Sequence, residues 1–444
     1  MDRRRRGGLN RIKPRDVLSY TKNQGLSHNR VTSVLQTKDG SMWMGSEGGG
    51  LNRLRDEKIT VFNTRNGMSS NLIRALLEDH DGNLWAGTDG AGINILNDGR
   101  VINSHSERLL PNSVILAMAE GRDGAIWIGT VKGLAFYKDG VVRNYTNDRD
   151  LAEDVIMALH VDAKGDLWVG TVTHGVKRIS RTGIIAYGQE EGLPEEFVNC
   201  IAEDSDGTLW LGTNGGGLVR FRNGRFTIFT SKQGLLEDAI AQVLDDGHGS
   251  LWLSSYRGIF RIAKHQLEEV AAGKIEAVQS TAYGKSDGMK TLECTARNQP
   301  AGWRAANGSL WFPTAEGIAL IDPNHLSRPV GPPPVVIELI TADKKALNPR
   351  GGVSLKAGTE QLEIHYAGLS LLAPEKVTYR YKLDGFDQGW VDAGARAVAY
   401  YTRLPPGSYK FQVAARVNAG AWSEIPSAVT FSVRPHYYQK PFSL

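Results

Sequence analysis

Short apolar runs alternate with glycine-rich turns along most of the chain, and a tryptophan returns in each unit at an almost constant spacing. Each tryptophan lies in a similar local phrase, for example DGNLWAGT at 81–88 and DGTLWLGT at 206–213. A turn dipeptide before a short apolar strand is the signal of a β-hairpin, and two further strands follow it in each unit. The tryptophans stand 42, 42, 41, 42, 42 and 59 residues apart, at Trp43, Trp85, Trp127, Trp168, Trp210, Trp252 and Trp311.

Four short strands in about 42 residues are typical of one blade of a β-propeller. Seven such units predict an all-β, seven-bladed ring over residues 1–328. The seventh unit has strands at 309–313 and 317–321 and then runs into proline, so its outer strand is missing. The N-terminal segment Val17–Tyr20 is predicted to supply that strand and close the ring, and the preceding Leu9–Ile12 resembles a third blade strand.

A second domain is predicted after the propeller. The proline-rich segment 329–334 is interpreted as a stiff linker. Residues 335–435 alternate apolar and polar positions, which predicts an immunoglobulin-like or fibronectin-like β-sandwich, and residues 436–444 form a tail. The expected strands are Val335–Ile340, Gln361–Tyr366, Val377–Leu383, Ala397–Thr402, Ser408–Ala415 and Ala428–Val433.

Charge, cysteine content and hydropathy limit the classes of function. The net charge of +4 over 444 residues comes partly from Arg3–Arg6, and no basic stripe with aromatic residues predicts nucleic-acid binding. Cys200 and Cys294 lack the spacing of a metal site or a redox pair. Because no run of 18 apolar residues and no signal peptide is visible, the chain as written is expected to be soluble.

No catalytic motif is recognisable in the sequence. The ten histidines are scattered, and no nucleophile, metal cluster or phosphate loop has its usual spacing. We therefore predict no catalytic residue, no metal site and no cofactor. A pair of carboxylates at the mouth of the ring, as in a propeller lyase or glycosidase, is left open. The repeated tryptophans are interpreted as inter-blade packing, and the aspartates before glycine as turn formers: Asp39, Asp81, Asp123 and Asp206.

The candidate ligand site is sought where the repeats differ, because shared residues hold the fold of a repeat protein. The loops that follow the second strands are expected to ring one mouth of the propeller. An aromatic ring beside an arginine can hold a sugar face or an anionic group, although drift on exposed loops explains the same residues. A cleft where Pro332–Pro334 meets the ring is a second candidate. The predicted mouth residues are Lys132, His174, Tyr256, Arg257, Trp303, Arg304 and Glu316.

Two groups of residues resemble known families. The phrase W-x-G-[ST], repeated about every 42 residues, resembles the two-component regulator propeller repeat. The second domain resembles the triple-tyrosine domain that follows such propellers. The residues that carry this second resemblance are YRYKLDGFDQGW at 379–390, Tyr400–Tyr401, LPPGSYKFQVAA at 404–415 and Asn418–Trp422.

The resemblance implies the periplasmic, extracytoplasmic sensor region of a hybrid histidine kinase or a related diguanylate cyclase, itself non-catalytic. The sandwich would relay ligand binding to a membrane helix and an output domain that this sequence lacks, and the tail RPHYYQKPFSL resembles the segment before such a helix. The implied partners are a small molecule or oligosaccharide and a second copy bound through the sandwich, without nucleic acid. A second propeller upstream is left open. The alternative function is a glycan-processing or protein-interaction propeller without a signalling role.

Overall fold

The computed structural model describes residues 2–3, 9–10, 15–105, 110–145, 148–194, 197–326, 331–349, 353–370, 374–418, 420–423 and 426–436. The chain divides into two compact units. The first unit is Arg15–Leu326, and the second is Ser327–Leu444, with which Met1–Pro14 groups. Both units are built mainly of antiparallel β-sheet.

The first two strands lie outside the propeller sheets. Strand β1 (Asp2–Arg3) pairs antiparallel with β2 (Leu9–Asn10). The interpretation of Leu9–Ile12 as a blade strand is therefore wrong for Leu9–Asn10, because these residues pair with β1, and residues 11–12 are outside the described part. The next strand, β3 (Val17–Tyr20), does belong to the propeller.

Six blades share one plan, a four-stranded antiparallel sheet whose strands follow one another from the centre of the ring outward. Blades one to three contain β4 (Val31–Gln36), β5 (Met42–Ser46), β6 (Leu51–Arg55), β7 (Lys58–Phe62), β8 (Ile73–Glu78), β9 (Leu84–Thr88), β10 (Ile93–Asn97), β11 (Arg100–His105), β12 (Ile115–Glu120), β13 (Ile126–Thr130), β14 (Gly133–Lys138) and β15 (Val141–Asn144).

Blades four to six follow the same order, with two short helices in their connections. They contain α1 (Arg149–Glu153), β16 (Ile156–Val161), β17 (Leu167–Thr171), β18 (Val176–Ser180), β19 (Gly183–Tyr187), β20 (Val198–Glu203), β21 (Leu209–Thr213), β22 (Leu218–Arg222), β23 (Arg225–Phe229), β24 (Ile240–Asp245), β25 (Ser250–Ser255), β26 (Gly258–Ala263), α2 (Lys264–Ala271) and β27 (Thr281–Tyr283). Single 3-10 turns occupy Lys22–Gln24, Thr64–Asn66, Ser231–Gln233, Lys285–Asp287, Pro323–His325 and Pro374–Lys376.

The seventh blade is closed by the N-terminal strand, as predicted. It contains β28 (Trp303–Arg304), β29 (Leu310–Thr314) and β30 (Gly317–Ile321), and β30 pairs with β3. Val17 lies opposite Ile321 and Tyr20 opposite Ile318. The fold is therefore a seven-bladed propeller in which the first and last blade strands share one sheet.

The repeated tryptophans pack each blade on the next, which confirms their structural interpretation. Trp85 of the second blade packs with Ile115 and Ile126 of the third, and Trp252 of the sixth packs with Phe312 of the seventh. Trp252 is fully buried, and most of the other repeated indoles are nearly so. A buried ring of this size supplies a large share of the apolar area that joins two flat sheets.

The other residues of W-x-G-[ST] also serve the ring. A Cβ on Gly87 would lie 2.7 Å from the Cγ2 atom of Ile115 in the next blade, so the blades could not approach as closely. The Thr88 hydroxyl donates to the carbonyl oxygen of Gly92 at 2.7 Å and accepts the N–H of Ala91 at 3.0 Å, which fixes the loop after the second strand. The motif therefore serves packing and turn formation.

A second set of aspartates stands six residues before the tryptophans. The Asp79 carboxylate accepts the indole N–H of Trp85 at 2.8 Å and the backbone N–H of Asn83 at 2.8 Å, so one side chain joins the turn to the packed ring. The sequence pattern shows these residues, which the prediction missed. The equivalent indole bonds in the later blades are accepted by Asp162, Asp204 and Asp246.

The second unit is a two-layer β-sandwich that contains all six predicted strands. One sheet has the order β32-β31-β34-β37 and the other the order β33-β39-β38-β35-β36. The strands are β31 (Val335–Ala342), β32 (Lys345–Leu347), β33 (Val353–Leu355), β34 (Gln361–Gly368), β35 (Val377–Asp384), β36 (Val391–Gly394), β37 (Val398–Thr402), β38 (Gly407–Val417) and β39 (Ser427–Val433).

Buried tyrosines fill the sandwich core, and each finds a partner for its hydroxyl. Tyr366 packs against the fully buried Phe411, and its hydroxyl donates to the carbonyl of Arg396 at 3.1 Å. The Tyr401 hydroxyl donates to Asp387 at 2.8 Å. Burial raises the pKa of Tyr401, and the neighbouring carboxylate adds to the shift, so this phenol stays protonated. Among the described residues no helix is long and apolar enough to cross a membrane.

Candidate functional site

The loops of the propeller fall on two opposite faces because neighbouring strands in each blade are antiparallel. The loops between second and third strands lie on one face, here called the mouth face. The hairpins between first and second strands lie on the other, here called the hairpin face. In three blades a mouth-face loop pairs with the residue before the next innermost strand, at Glu47–Leu72, Asp89–Val114 and Asn214–Ala239.

An inserted segment in the seventh blade occupies the centre of the ring. This axial segment, Thr295–Gly302, stands where other blades have a regular innermost strand. The carbonyl of Pro300 accepts the N–H of Val34 at 3.0 Å, and that of Gln299 accepts the N–H of Leu76 at 2.9 Å. The Gln299 side chain bonds to the main chain of Leu159 and Met118. The segment therefore joins the innermost strands of blades one to four.

A cavity of about 290 Å³ opens on the mouth face beside the axial segment. A volume of this size lies at the lower end of ligand pockets, about 300 Å³, and suits a small molecule. Its polar and charged lining comes from the first, second, sixth and seventh blades: Arg30, Thr32, Glu47, Arg74, Asp89, Tyr256, Glu293, Thr295, Arg297 and Asn298.

Two of the three arginines are held by carboxylates. Arg30 contacts Glu47 at 2.7 Å and Glu293 at 3.1 Å, and both ion pairs are about half exposed. Arg74 contacts Asp89 at 2.7 Å and donates to the side-chain oxygen of Asn298 at 3.4 Å. Pairs this exposed add little stability. They do fix the direction of the guanidinium groups around the cavity.

Arg297 is the third arginine and differs from the other two. It is exposed, and its guanidinium carbon lies 5.2 Å from the centre of the Phe197 ring. No carboxylate belonging to the described residues lies within 4.0 Å of it. The residue has a φ of 64°, a left-handed conformation that is uncommon outside glycine and is often found at functional sites.

The same repeat positions carry apolar residues in the third and fourth blades, and Asn199 and Asn214 in the fifth. The second residue of each innermost strand lies at a β-bulge, a feature that redirects a side chain. This position holds Arg74 in the second blade but Leu116 in the third and Met157 in the fourth. In the mouth-face loop, Asp89 of the second blade corresponds to Val131 of the third.

The structure contradicts the grouping of Trp303 and Arg304 with the mouth-face loops. Trp303 pairs with Trp311 and Arg304 with Leu310, which places both beside the hairpin of the seventh blade on the hairpin face. There they line two cavities of about 470 and 680 Å³, together with His160 and Gln299. The prediction placed the pair just upstream of the seventh hairpin, where it lies, but counted it among the mouth residues although that hairpin is on the opposite face.

Of the predicted mouth residues, Tyr256 alone lines the mouth-face cavity, where it is 44% exposed. Lys132, Arg257 and Glu316 lie in the mouth-face loops but outside that cavity. Their backbone N–H groups donate to the hydroxyl of the serine or threonine two residues earlier. The Arg257 side chain is 70% exposed and lies 3.8 Å from Glu237.

His174 belongs to a separate charged cluster in the fourth blade. Its Nδ1 atom lies 2.8 Å from Asp154, while the buried Lys177 bonds to Asp148 and Asp150 at 2.7 Å each. Burial tends to raise the pKa of Asp154, but hydrogen bonds from His174 and neighbouring groups outweigh it and hold that pKa below its usual value. Burial likewise tends to lower the pKa of Lys177, yet the two aspartates raise it. The cluster is thus a set of ion pairs that holds α1.

The described residues contain two buried cysteines and no group of metal-ligating side chains. In this part of the chain no three His, Cys, Asp or Glu side chains are grouped as a metal site. Cys200 and Cys294 are free and buried, and burial raises the pKa of each to about 12. Neither sulfur is therefore a thiolate near neutral pH.

The fold defines the class of this protein, a seven-bladed β-propeller with a C-terminal β-sandwich. Four segments match the two component regulator propeller family, at residues 25–48, 67–90, 109–132 and 192–215, and residues 371–434 match the Y_Y_Y domain. The chain therefore carries two-component regulator propeller repeats followed by a Y_Y_Y domain, as its sequence predicts. No curated protein matches it.

Solved structures share this fold. An extracellular domain described as part of a hybrid two-component system of B. thetaiotaomicron has a TM-score of 0.76 and 24% identity, over 95% of this chain and 58% of that one. A second such domain from B. thetaiotaomicron has a TM-score of 0.51 and 19% identity, over 94% of this chain and 59% of that one. The chain thus spans less than two thirds of both.

An enzyme is also among the similar structures. A catalytically inactive virginiamycin B lyase from Staphylococcus aureus has a TM-score of 0.53 and 15% identity, over 69% of this chain and 98% of that one. At these identities the likeness shows a shared fold alone. Function has to be argued from the residues of this chain.

Proposed function

We propose that this chain is the ligand-sensing, non-catalytic region of an extracytoplasmic receptor, and that the mouth-face cavity binds the ligand. The observation that carries the proposal is the asymmetry of the repeat. Arg74 and Asp89 face a polar cavity in the second blade, whereas Leu116 and Val131 stand at the same positions in the third. Arg74, Asp89 and Tyr256 are departures from the repeat that line one cavity, as expected of a binding site on a scaffold.

The axial segment offers a route by which a ligand in this cavity acts on the ring. It carries Arg297 and Asn298 at the cavity and, one residue later, Gln299, which bonds to the innermost strands of three blades. A ligand shifts an equilibrium only if it binds one state better than the other. The proposed relay through the sandwich to a membrane-anchored output domain requires such a difference.

We also propose that two copies meet through the sandwich. Val336 and Leu339 of β31 and Tyr400 of β37 lie on the outward face of one sheet and are 37%, 37% and 55% exposed. The polar residues His365 and Glu363 of the intervening β34 lie opposite Leu339 and Tyr400. A second copy would cover the three exposed apolar side chains. Sedimentation velocity should show a dimer that Leu339→Glu converts to monomer, and a monomeric wild-type chain would contradict this assignment.

A thermal-shift screen with product analysis tests the sensor proposal. The purified chain is mixed with sugars, sugar acids, amino acids and nucleotides, because binding to the native state alone raises the melting temperature. We expect a saturable rise with the ligand recovered unchanged, and loss of that rise in Tyr256→Ala. Glu316→Ala is the control, since Glu316 lies on the same face outside the cavity. Recovery of a cleaved product would show an enzyme instead.

A further inference from the structure

The charges around the mouth-face cavity are unevenly satisfied. Arg30 contacts two carboxylates, those of Glu47 and Glu293, and Arg74 contacts one, that of Asp89. Arg297 contacts no carboxylate of the described chain and lies against the Phe197 ring. The cavity therefore has spare carboxylate oxygens on Glu47 and Glu293 and an exposed guanidinium group on Arg297.

The backbone holds Arg297 in place. The neighbouring Asn298 is buried, donates its side-chain amide to the carbonyl of Ala296 at 2.8 Å and accepts a hydrogen bond from Arg74. The N–H of Thr295 donates to the carbonyl of Pro313 at 3.0 Å. These bonds maintain the left-handed conformation of Arg297, which is costly for a residue with a side chain. A fixed backbone sets the point from which the Arg297 side chain leaves the main chain, so it limits the positions that the guanidinium group reaches.

We propose that the mouth-face cavity binds a small carboxylate that also carries hydroxyl or ammonium groups, and that Arg297 receives the carboxylate. A guanidinium group presents two parallel N–H donors that match the two oxygens of a carboxylate. The spare oxygens of Glu47 and Glu293 accept hydrogen bonds from the hydroxyl or ammonium end. The inference rests on the proposed function, because it names the class of ligand for the same cavity.

Two pairs of probes that differ only in the carboxylate test this inference. D-galacturonate is compared with D-galactose, and L-serine with L-serinamide, by thermal shift and by isothermal titration on the full chain. At least one acid is expected to bind saturably while its partner without the carboxylate binds at least about tenfold more weakly, as expected when a charge-assisted pair is lost. Equal affinity of the acid and its carboxylate-free partner in both pairs would overturn the inference, and so would the failure of both acids to bind.

Variants of Arg297 supply the second arm of the experiment. Arg297→Gln should weaken binding of the acid at least about tenfold and leave the affinity of the carboxylate-free partner unchanged. Arg297→Asn is included because asparagine tolerates a left-handed backbone, which guards against a folding defect. Arg257→Gln is the matched control, an exposed arginine on the same face outside the cavity. Wild-type affinity in both Arg297 variants would overturn the inference.

The two proposals fail in different ways. A neutral ligand that needs Tyr256, is indifferent to Arg297 and is recovered unchanged would leave the sensor proposal standing and overturn the carboxylate site. An acid that needs Arg297 but is recovered as a reaction product would support the carboxylate site and contradict the non-catalytic sensor.

Discussion

The second and third blades of the propeller share the residues that pack the ring and differ in the residues that they place on the mouth face. Both have a tryptophan that packs on the next blade, Trp85 or Trp127, and a glycine and threonine that set the spacing and the loop. They differ at the bulge of the innermost strand, where Arg74 corresponds to Leu116. Packing of the ring depends on the tryptophan, glycine and threonine that the two blades share. The cavity is lined at the positions where the two blades differ.

The two blades also differ in the burial and hydrogen bonding of the tryptophan that packs on the next blade, here called the tryptophan anchor. The Trp85 indole is 3% exposed and donates to Asp79, whereas Trp127 is half-buried and has Gly121 at the equivalent position, without a side-chain acceptor. A blade can thus lose one anchor and still join the ring. The site and the scaffold can therefore be altered separately.

The largest expected effect comes from removing a tryptophan anchor. We expect Trp85→Ala to lower the free energy of unfolding by about 4 kcal/mol, because it empties a buried site and leaves Asp79 without its indole partner. Trp127→Ala should cost about 2 kcal/mol less, since that ring is less buried. Urea unfolding followed by far-ultraviolet circular dichroism measures both. Equal losses in the two variants would contradict the difference between the blades.

Much of the scaffold could be predicted because its signals are local. Each W-x-G-[ST] phrase marks one hairpin and one contact between blades, so the number of phrases gives the number of blades. The missing strand after Ile321 indicates that Val17–Tyr20 completes the last sheet. The second set of aspartates, such as Asp79, was also visible as a fixed offset before the tryptophan.

The site was harder to predict because it depends on contacts that the repeat does not encode. The 59-residue interval before Trp311 indicates extra residues, which include α2 as well as part of the axial segment. The path of the axial segment through the ring is set by bonds to distant strands, such as that from Leu76 to Gln299. Arg297 has no equivalent in the other blades, so comparison of the units passes over it. Trp303 was assigned to the wrong face because its place in the innermost strand, paired with Trp311, was not recognised.

An intermediate effect is expected from making the second blade like the third. In the double variant Arg74→Leu with Asp89→Val, the free energy of unfolding should change by at most about 1 kcal/mol, because the lost ion pair is partly exposed. Binding of any cavity ligand should weaken at least about tenfold. The matched controls, Arg257→Ala and Glu316→Ala, each remove one charge on the same face outside the cavity. A double variant that binds normally would show that the asymmetry of the blades has no role in recognition.

The smallest expected effect concerns pH and the fourth blade, where α1 is held by charges. The pKa of Asp154 is lower in the folded chain than in the unfolded one, so its contribution is complete above the unfolded value of about 4 and is lost as the pH falls through the folded value. Asp154→Asn should therefore cost about 1 kcal/mol at pH 7 and progressively less as the pH falls below about 4. Melting temperatures of wild type and variant between neutral and acidic pH measure this. Asp56→Asn is the control, because its carboxylate is 94% exposed. A difference between wild type and Asp154→Asn that is independent of pH would mean that folding does not shift the pKa of Asp154, and would contradict the role of its charge in holding α1.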